Sequence, residues 1–299
     1  VLAGVASMSL SAAGSDLSWA ATDEILKRPI PHGKEMLPVI GLGTAVVFNV
    51  GPDEAKRAAL SDVVQTLLNG GGSLIDTATS YGTSEEVVGA IATGASLRDR
   101  IFVATKLEAR DEQAGRVEFA QSLARLRVKS VDLLMLHNVR ENDPGLDFLR
   151  ALKSEGLTRY FGATTTFRRD YEAMEALIRR EKPDFIEVDC SIANREAEAR
   201  IIPAAADAGT AVLIALPFGR SSLFSRVKGK PLPPVAEEIG AVTWGQVFLK
   251  YLLGNAAITA VIPGTNKAEH MADNLGAGHG SMPDPKQRQA LVTYFEQLR

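Results

Sequence analysis

Asp76, Tyr81, Lys106 and His137 bring together an acid, a phenol, an amine and an imidazole, and three of them recur at nearly constant spacing. Asp76 closes the apolar run Leu74-Ile75, Lys106 closes Ile101 to Thr105, and His137 closes Val131 to Leu136. The intervals, 30 residues from 76 to 106 and 31 from 106 to 137, each equal about one strand-plus-helix unit. The three side chains are therefore expected at the same end of three successive parallel strands. Tyr81 follows Asp76 by five residues, on the adjoining loop.

The set suits proton transfer to an oxygen. A tyrosine with its ordinary pKa near ~10 is a poor donor at neutral pH. A neighbouring ammonium such as Lys106 favours the phenolate and lowers that value. Asp76 would keep Lys106 charged, and His137 would hydrogen-bond a substrate oxygen and aim it at Tyr81. Protonating an oxygen this way fits hydride arriving at the adjacent carbon. Side chains supply no hydride, so a cofactor is implied.

Short apolar runs alternate with amphipathic stretches along most of the chain. Strands are expected at 39–43, 74–76, 101–106, 131–137, 160–163, 185–188, 211–215 and 258–262. Helices are expected at 52–69, 84–91, 113–126, 146–153, 171–180, 197–208, 234–238 and 243–253. Two more, at 267–274 and 285–298, lie outside the repeat. Eight strands, each followed by helix, predict an α/β fold: a (β/α)8 TIM barrel with two extra C-terminal helices. No linker composition interrupts residues 28–299, which read as a single domain.

With 299 residues, 45% of them apolar, and a net charge of −3, the chain can bury a large core. Its basic runs, 179–182 and 226–230, are short and lack interleaved aromatics, so no nucleic-acid partner is expected. Cys190 is the only cysteine, which excludes an internal disulfide. His32, His137, His270 and His279 have no metal-ligand spacing, so no metal site is expected. No stretch reaches the ~20 apolar residues of a membrane span. Residues 1–27 are read as the remnant of an export signal, with a cleavage site at Ser18-Trp19-Ala20, or as a disordered leader. Export to the periplasm is the expectation, the cytoplasm the alternative.

Several segments together resemble the aldo-keto reductases. They are Lys34 to Thr44, Leu74-Ile75-Asp76-Thr77-Ala78-Thr79-Ser80-Tyr81-Gly82, Ala104-Thr105-Lys106, Ser122 to Leu126, Val131 to His137, and Val261-Ile262-Pro263-Gly264-Thr265. The resemblance runs in order from about Ile30 to Arg299. It implies a barrel binding extended NADP(H), with Tyr81 as general acid, Asp76 and Lys106 tuning it, and His137 orienting the carbonyl of a small-molecule substrate.

The resemblance also assigns cofactor contacts. Gly43, Thr44 and Asp76 fall at the nicotinamide half. Thr164 and Thr165 stand where a Ser-Asn pair holds the carboxamide, and Glu187 stands where glutamine is common. A carboxylate accepts from the carboxamide NH2 but cannot donate to its oxygen. Ala215 replaces an aromatic ring that stacks on the nicotinamide. Phe218, Gly219, Ser221 and Ser222 fall on the loop that wraps the pyrophosphate. Thr265, Lys267, His270 and Asn274 fall at the adenosine phosphate, with Gly264 in place of a lysine and His270 in place of an arginine. NADPH is the expected cofactor, with NADH possible.

The chain stops soon after its last helix and loop 138–145 is short, so an open, weakly selective pocket is expected. The expected activity is NAD(P)H-dependent reduction of an aldehyde or ketone by a monomer. The alternative is an NADP(H)-binding redox-sensing or regulatory module with little turnover. A metal-dependent hydrolase fits poorly, because Lys106 would repel a cation.

Overall fold

The computed structural model describes residues 24–31, 33–141, 143 and 146–298. The stretch read as an export remnant, including Ser18-Trp19-Ala20, lies outside the described residues apart from its last four positions. Of these, Ile25 is buried in the core and Leu26 N donates to Gly278 O. Ile25 to Lys27 thus belong with the barrel rather than a leader, because an apolar side chain at 25 finds a packed site.

The first strands form an antiparallel hairpin, β1 (Lys27–Pro29) and β2 (Met36–Pro38), which the sequence reading did not assign. The barrel strands are then β3 (Leu42–Gly43), β4 (Leu74–Asp76), β5 (Phe102–Leu107) and β6 (Val131–Leu136). They continue as β7 (Thr158–Thr165), β8 (Phe185–Asp189), β9 (Ala211–Ala215) and β10 (Ala260–Val261). Consecutive strands pair in parallel from β3 to β10. Parallel bridges from Ile40 to Val261 and from Gly43 to Gly264 close the sheet on itself. This is a (β/α)8 barrel.

Helices α1 (Glu54–Asn69), α2 (Ser84–Gly94), α3 (Glu112–Leu126), α4 (Asp147–Ser154) and α5 (Tyr171–Glu181) follow β3 to β7 in turn. After β8 come α6 (Glu196–Ala199) and α7 (Ile201–Ala208). A single helix was expected there. Pro203 has no N–H for the Ala199 carbonyl, so the helix breaks at Arg200. The loop after β9 holds α8 (Ser222–Val227), α9 (Val235–Glu238) and α10 (Trp244–Leu253); α8 was not anticipated. Of the two C-terminal helices, α11 (Ala268–Gly276) lies beside α1, and α12 (Pro285–Gln297) packs against α9 and α10.

Side-chain alternation sorts each strand into two faces. Ile75, Val103, Leu134 and Ile186 join the core between sheet and helices. Leu74, Phe102, Leu133, Tyr160 and Phe185 fill the barrel interior, where Ile30 and Leu37 of the hairpin cap the N-terminal end. The interior is therefore solid at the bottom, and its next residues of the same parity form the layer above. Gly162 lets β7 approach β8 closely, since a Cβ there would lie 2.2 Å from Phe185 O. That approach sets Thr164 opposite Glu187.

Candidate active site

Inward parity carries Asp76 (after Leu74), Lys106 (after Phe102 and Ala104), His137 (after Leu133 and Met135) and Glu187 (after Phe185) into the mouth of the barrel. All four are buried. Lys106 Nζ donates to Asp76 Oδ1 at 2.6 Å and Oδ2 at 2.5 Å, and to Thr77 O at 3.0 Å. An ammonium has three N–H groups, and Asp76 and Thr77 O take up the contacts closest to it. Glu187 Oε2 also lies 3.1 Å from Nζ, yet that oxygen has no hydrogen-bond donor. The two observations agree once direction is considered: Glu187 feels the Lys106 charge, while the N–H bonds point elsewhere.

Tyr81 and His137 complete the group. Lys106 Nζ stands 5.3 Å from the centre of the Tyr81 ring. The His137 ring meets Tyr81 edge-on, with centroids 5.7 Å apart. His137 Nδ1 contacts Glu108 Oε1, with Ser80 Oγ at 3.3 Å. Arg110 fixes the approach by donating to the carbonyls of Glu108, His137 and Asn138, while the Glu118 carboxylate accepts from the amides of Glu108 and Ala109. Glu108 was not singled out from the sequence. It was legible there, because 108 is the next inward position after 102, 104 and 106.

The electrostatics depart from expectation at Tyr81. Burial raises its pKa; the Lys106 charge opposes this, but Asp76 and Glu187 reinforce it. The phenol is thus held protonated through the neutral range, whereas the sequence reading expected a lowered value. One ammonium faces two carboxylates, and burial adds to their effect. The same pair explains Lys106 itself: burial alone would lower its pKa, but Asp76 and then Glu187 more than reverse this. Asp76 is raised well above its ordinary value, by burial first and then by Glu187, against the pull of Lys106. His137 is lowered by burial and by Lys106, with Glu108 and Glu187 opposing.

Among the described residues, four buried side-chain polar atoms lack any hydrogen-bond partner: Thr44 Oγ1, Thr77 Oγ1, Asn138 Oδ1 and Glu187 Oε2. They sit at the C-terminal ends of β3, β4, β6 and on β8, around the group just described. Buried polar atoms are nearly always paired, so the mouth is built to take a polar ligand. A nicotinamide carboxamide, which has both donors and an acceptor, fits this set. Thr164 Oγ1 accepts from Asn138 N at 2.9 Å, and its hydroxyl hydrogen remains available.

Other expected contacts divide by position. Gly43 pairs with Asp76, and Thr44 N donates to Asp76 O, so both stand at the mouth. Thr165 shares the outward parity of Phe161 and Ala163, which pack toward the helices. Its hydroxyl closes a turn with Phe167, so the expected Thr164–Thr165 pair is split. Ala215 is buried on the inner face. After β9, the Phe218 ring packs at a tilt against Phe224 and Phe248. Gly219, Arg220 and Ser221 follow in the left-handed region, with φ of 54°, 54° and 70°. Ser222 Oγ donates to Gly219 O. At the third position, Thr265 Oγ1 accepts from Lys267 N, Lys267 pairs with Glu269, His270 is exposed and Asn274 is buried.

A cleft of about 580 Å3 opens on the opposite, N-terminal face, lined by Arg98, Arg100, Asp132 and Arg159 among others. It holds none of Asp76, Tyr81, Lys106 and His137, which gather at the C-terminal mouth. Among the described residues no cluster of three or more His, Cys, Asp or Glu could hold a metal ion. No helix among them is long and apolar enough to cross a membrane.

A model of the aldo/keto reductase family matches residues 39–289. The chain belongs to the aldo/keto reductase family. Among its curated relatives, an aldo-keto reductase of Mycobacterium marinum is 30% identical over 252 residues, covering 82% of this chain and 83% of the relative. Another, from Strobilurus tenacellus, is 25% identical over 299 aligned positions, covering 83% and 87%. An aldo-keto reductase from Klebsiella pneumoniae, solved in complex with NADPH, superposes with a TM-score of 0.75 at 22% identity, over 92% of this chain and 95% of that one. A holo form from Bacillus halodurans superposes with a TM-score of 0.71 at 23% identity, over 91% and 96%. The family places the chain among oxidoreductases.

Proposed function

We propose that the protein reduces the carbonyl of a small aldehyde or ketone to an alcohol with NADPH. The observation that carries this reading is the meeting of a protonated phenol, an ammonium and an imidazole at one mouth. Tyr81 gives its proton to the carbonyl oxygen. Lys106 lies beside the phenol and stabilises the phenolate left behind. Asp76 holds Lys106 in place through two hydrogen bonds. His137, edge-on to Tyr81, orients the substrate oxygen in its imidazolium form, since its Nδ1 faces Glu108. When bound, the cofactor supplies the hydride.

Thr44, Asn138, Thr164 and Glu187 would hold the nicotinamide end. The backbone at 218–221 would hold the pyrophosphate, and Thr265, Lys267, His270 and Asn274 the adenosine phosphate. The NADPH complex of the Klebsiella neighbour supports this choice of cofactor.

A second reading, a redox-sensing module with little turnover, draws on the Glu187 carboxylate in the nicotinamide cradle. The test pairs NADPH consumption, across aromatic aldehydes, dicarbonyls and ketones, with fluorescence titration of NADPH. Turnover on any of these classes supports the reductase. Tight binding with no turnover on all of them supports the module.

A further inference from the structure

The mouth is short of one positive charge. Lys106 is the cation that Asp76 and Glu187 share: it hydrogen-bonds Asp76 and Thr77 O, while Glu187 Oε2 lies 3.1 Å from it. Glu187 Oε2 is buried without a donor. Two acids against one base, away from water, favour whatever brings a further positive charge, because such an imbalance is costly in a low-dielectric interior. A proton is one such partner. A cationic ligand is another.

The two redox forms of a nicotinamide cofactor differ in this respect. The oxidised ring carries a positive charge and the reduced ring is neutral, while the phosphates and adenosine are common to both. For its hydride to reach the carbon whose oxygen Tyr81 protonates, the ring must lie in the mouth, over Lys106, Asp76 and Glu187.

We propose that Glu187 makes this site select the oxidised cofactor, binding NADP+ more tightly than NADPH. This rests on the proposed function and adds a regulation to it. Stabilising the cation favours the chemical step of reduction, since that step creates the charge. It also slows release of NADP+, so turnover is held back when oxidised cofactor is abundant. The rate then falls as the NADP+ to NADPH ratio rises. Glutamine at 187 would have the same shape with no charge, and both cofactor forms would meet the same amide.

Asp76 ties this preference to pH, because burial and then the Glu187 charge hold its carboxyl well above the ordinary range. While Asp76 keeps its proton the cation gains little. As pH rises and that proton leaves, NADP+ binds more tightly while NADPH changes less. Lys106, Tyr81, Asp76 and His137 also face this space, and all remain in the Glu187→Gln variant. Any pH dependence lost there therefore runs through the Glu187 charge that raises Asp76. The 2′-phosphate titrates in both forms and cancels in the ratio.

The test is fluorescence or calorimetric titration of wild type and Glu187→Gln with NADP+ and with NADPH, at several pH values. Wild type is expected to favour NADP+, increasingly so as pH rises. Glu187→Gln is expected to shift the affinity ratio toward NADPH by about tenfold or more, the scale of one unit charge at close range, and to flatten its pH dependence. A variant that binds both forms with the wild-type ratio overturns the inference and leaves the proposed function standing. Failure of wild type to bind either form overturns both. If the variant does not fold, the wild-type pH series decides alone: a ratio that favours NADPH, or does not move with pH, overturns the inference.

Discussion

Glu108 Oε1 meets Nδ1 of His137, and Ser80 Oγ lies 3.3 Å from the same nitrogen. A carboxylate accepts and does not donate, so this contact puts the imidazole proton on Nδ1. Nε2 is then a donor toward substrate only in the imidazolium form, which Glu108 favours against burial and Lys106. Glu108→Gln should lower the His137 titration point further and cost up to about tenfold in kcat/KM, less than loss of the acid itself. Nitrogen-resolved NMR of His137 reads the protonated nitrogen directly. An unchanged titration point in the variant would remove Glu108 from the mechanism.

Among the described residues, Lys106 is the one cation paired with Asp76, in a buried site. Lys106→Met would strand two carboxyl groups together, and breaking a buried pair costs about 3–5 kcal/mol. Urea unfolding should show a loss of that size along with loss of turnover. A loss below about 1 kcal/mol would mean that the carboxyls escape to water.

Asp76 has a raised pKa in the folded protein, so between the ordinary aspartate range and the raised value the native state holds a proton that the unfolded chain releases. Its contribution is present below the ordinary value and is lost as pH rises through the folded one. Stability should therefore decline with rising pH over that window, and the decline should shrink in Asp76→Asn. Thermal melts across the window measure it; a parallel slope in the variant would locate the titration elsewhere.

Leu37 caps the barrel at the end remote from Tyr81 and is buried against the interior layer. Leu37→Ala should cost about 2–5 kcal/mol of stability while kcat/KM stays at the wild-type value. A drop in kcat/KM with stability intact would show that the hairpin reaches the site.

How much of this could be read from the chain follows from what each signal depends on. β9 was legible at both ends because Ala211 to Ala215 is an uninterrupted apolar run, and the 30-residue rhythm located Asp76, Lys106 and His137 before any geometry. The hairpin escaped because its strands are three residues each and include Pro29 and Pro38, which hide any alternation. The outward parity of Thr165 and the turn its hydroxyl closes with Phe167 are not visible to motif matching, which ignores parity. Glu108 was legible by the same parity, as the next inward position after Lys106. Its contact with His137, like that of Glu187 with Lys106, depends on distances between strands that a linear chain does not contain. The Tyr81 shift also needed three dimensions, since it is a balance between burial, one ammonium and two carboxylates.

The central claim is that Tyr81 delivers the proton. The most direct measurement compares Tyr81→Phe with wild type for NADPH consumption on a carbonyl that wild type reduces, alongside NADPH binding by fluorescence. The account predicts a fall of about 10²–10⁴-fold in rate with NADPH affinity nearly unchanged. A variant that retains full turnover would contradict it.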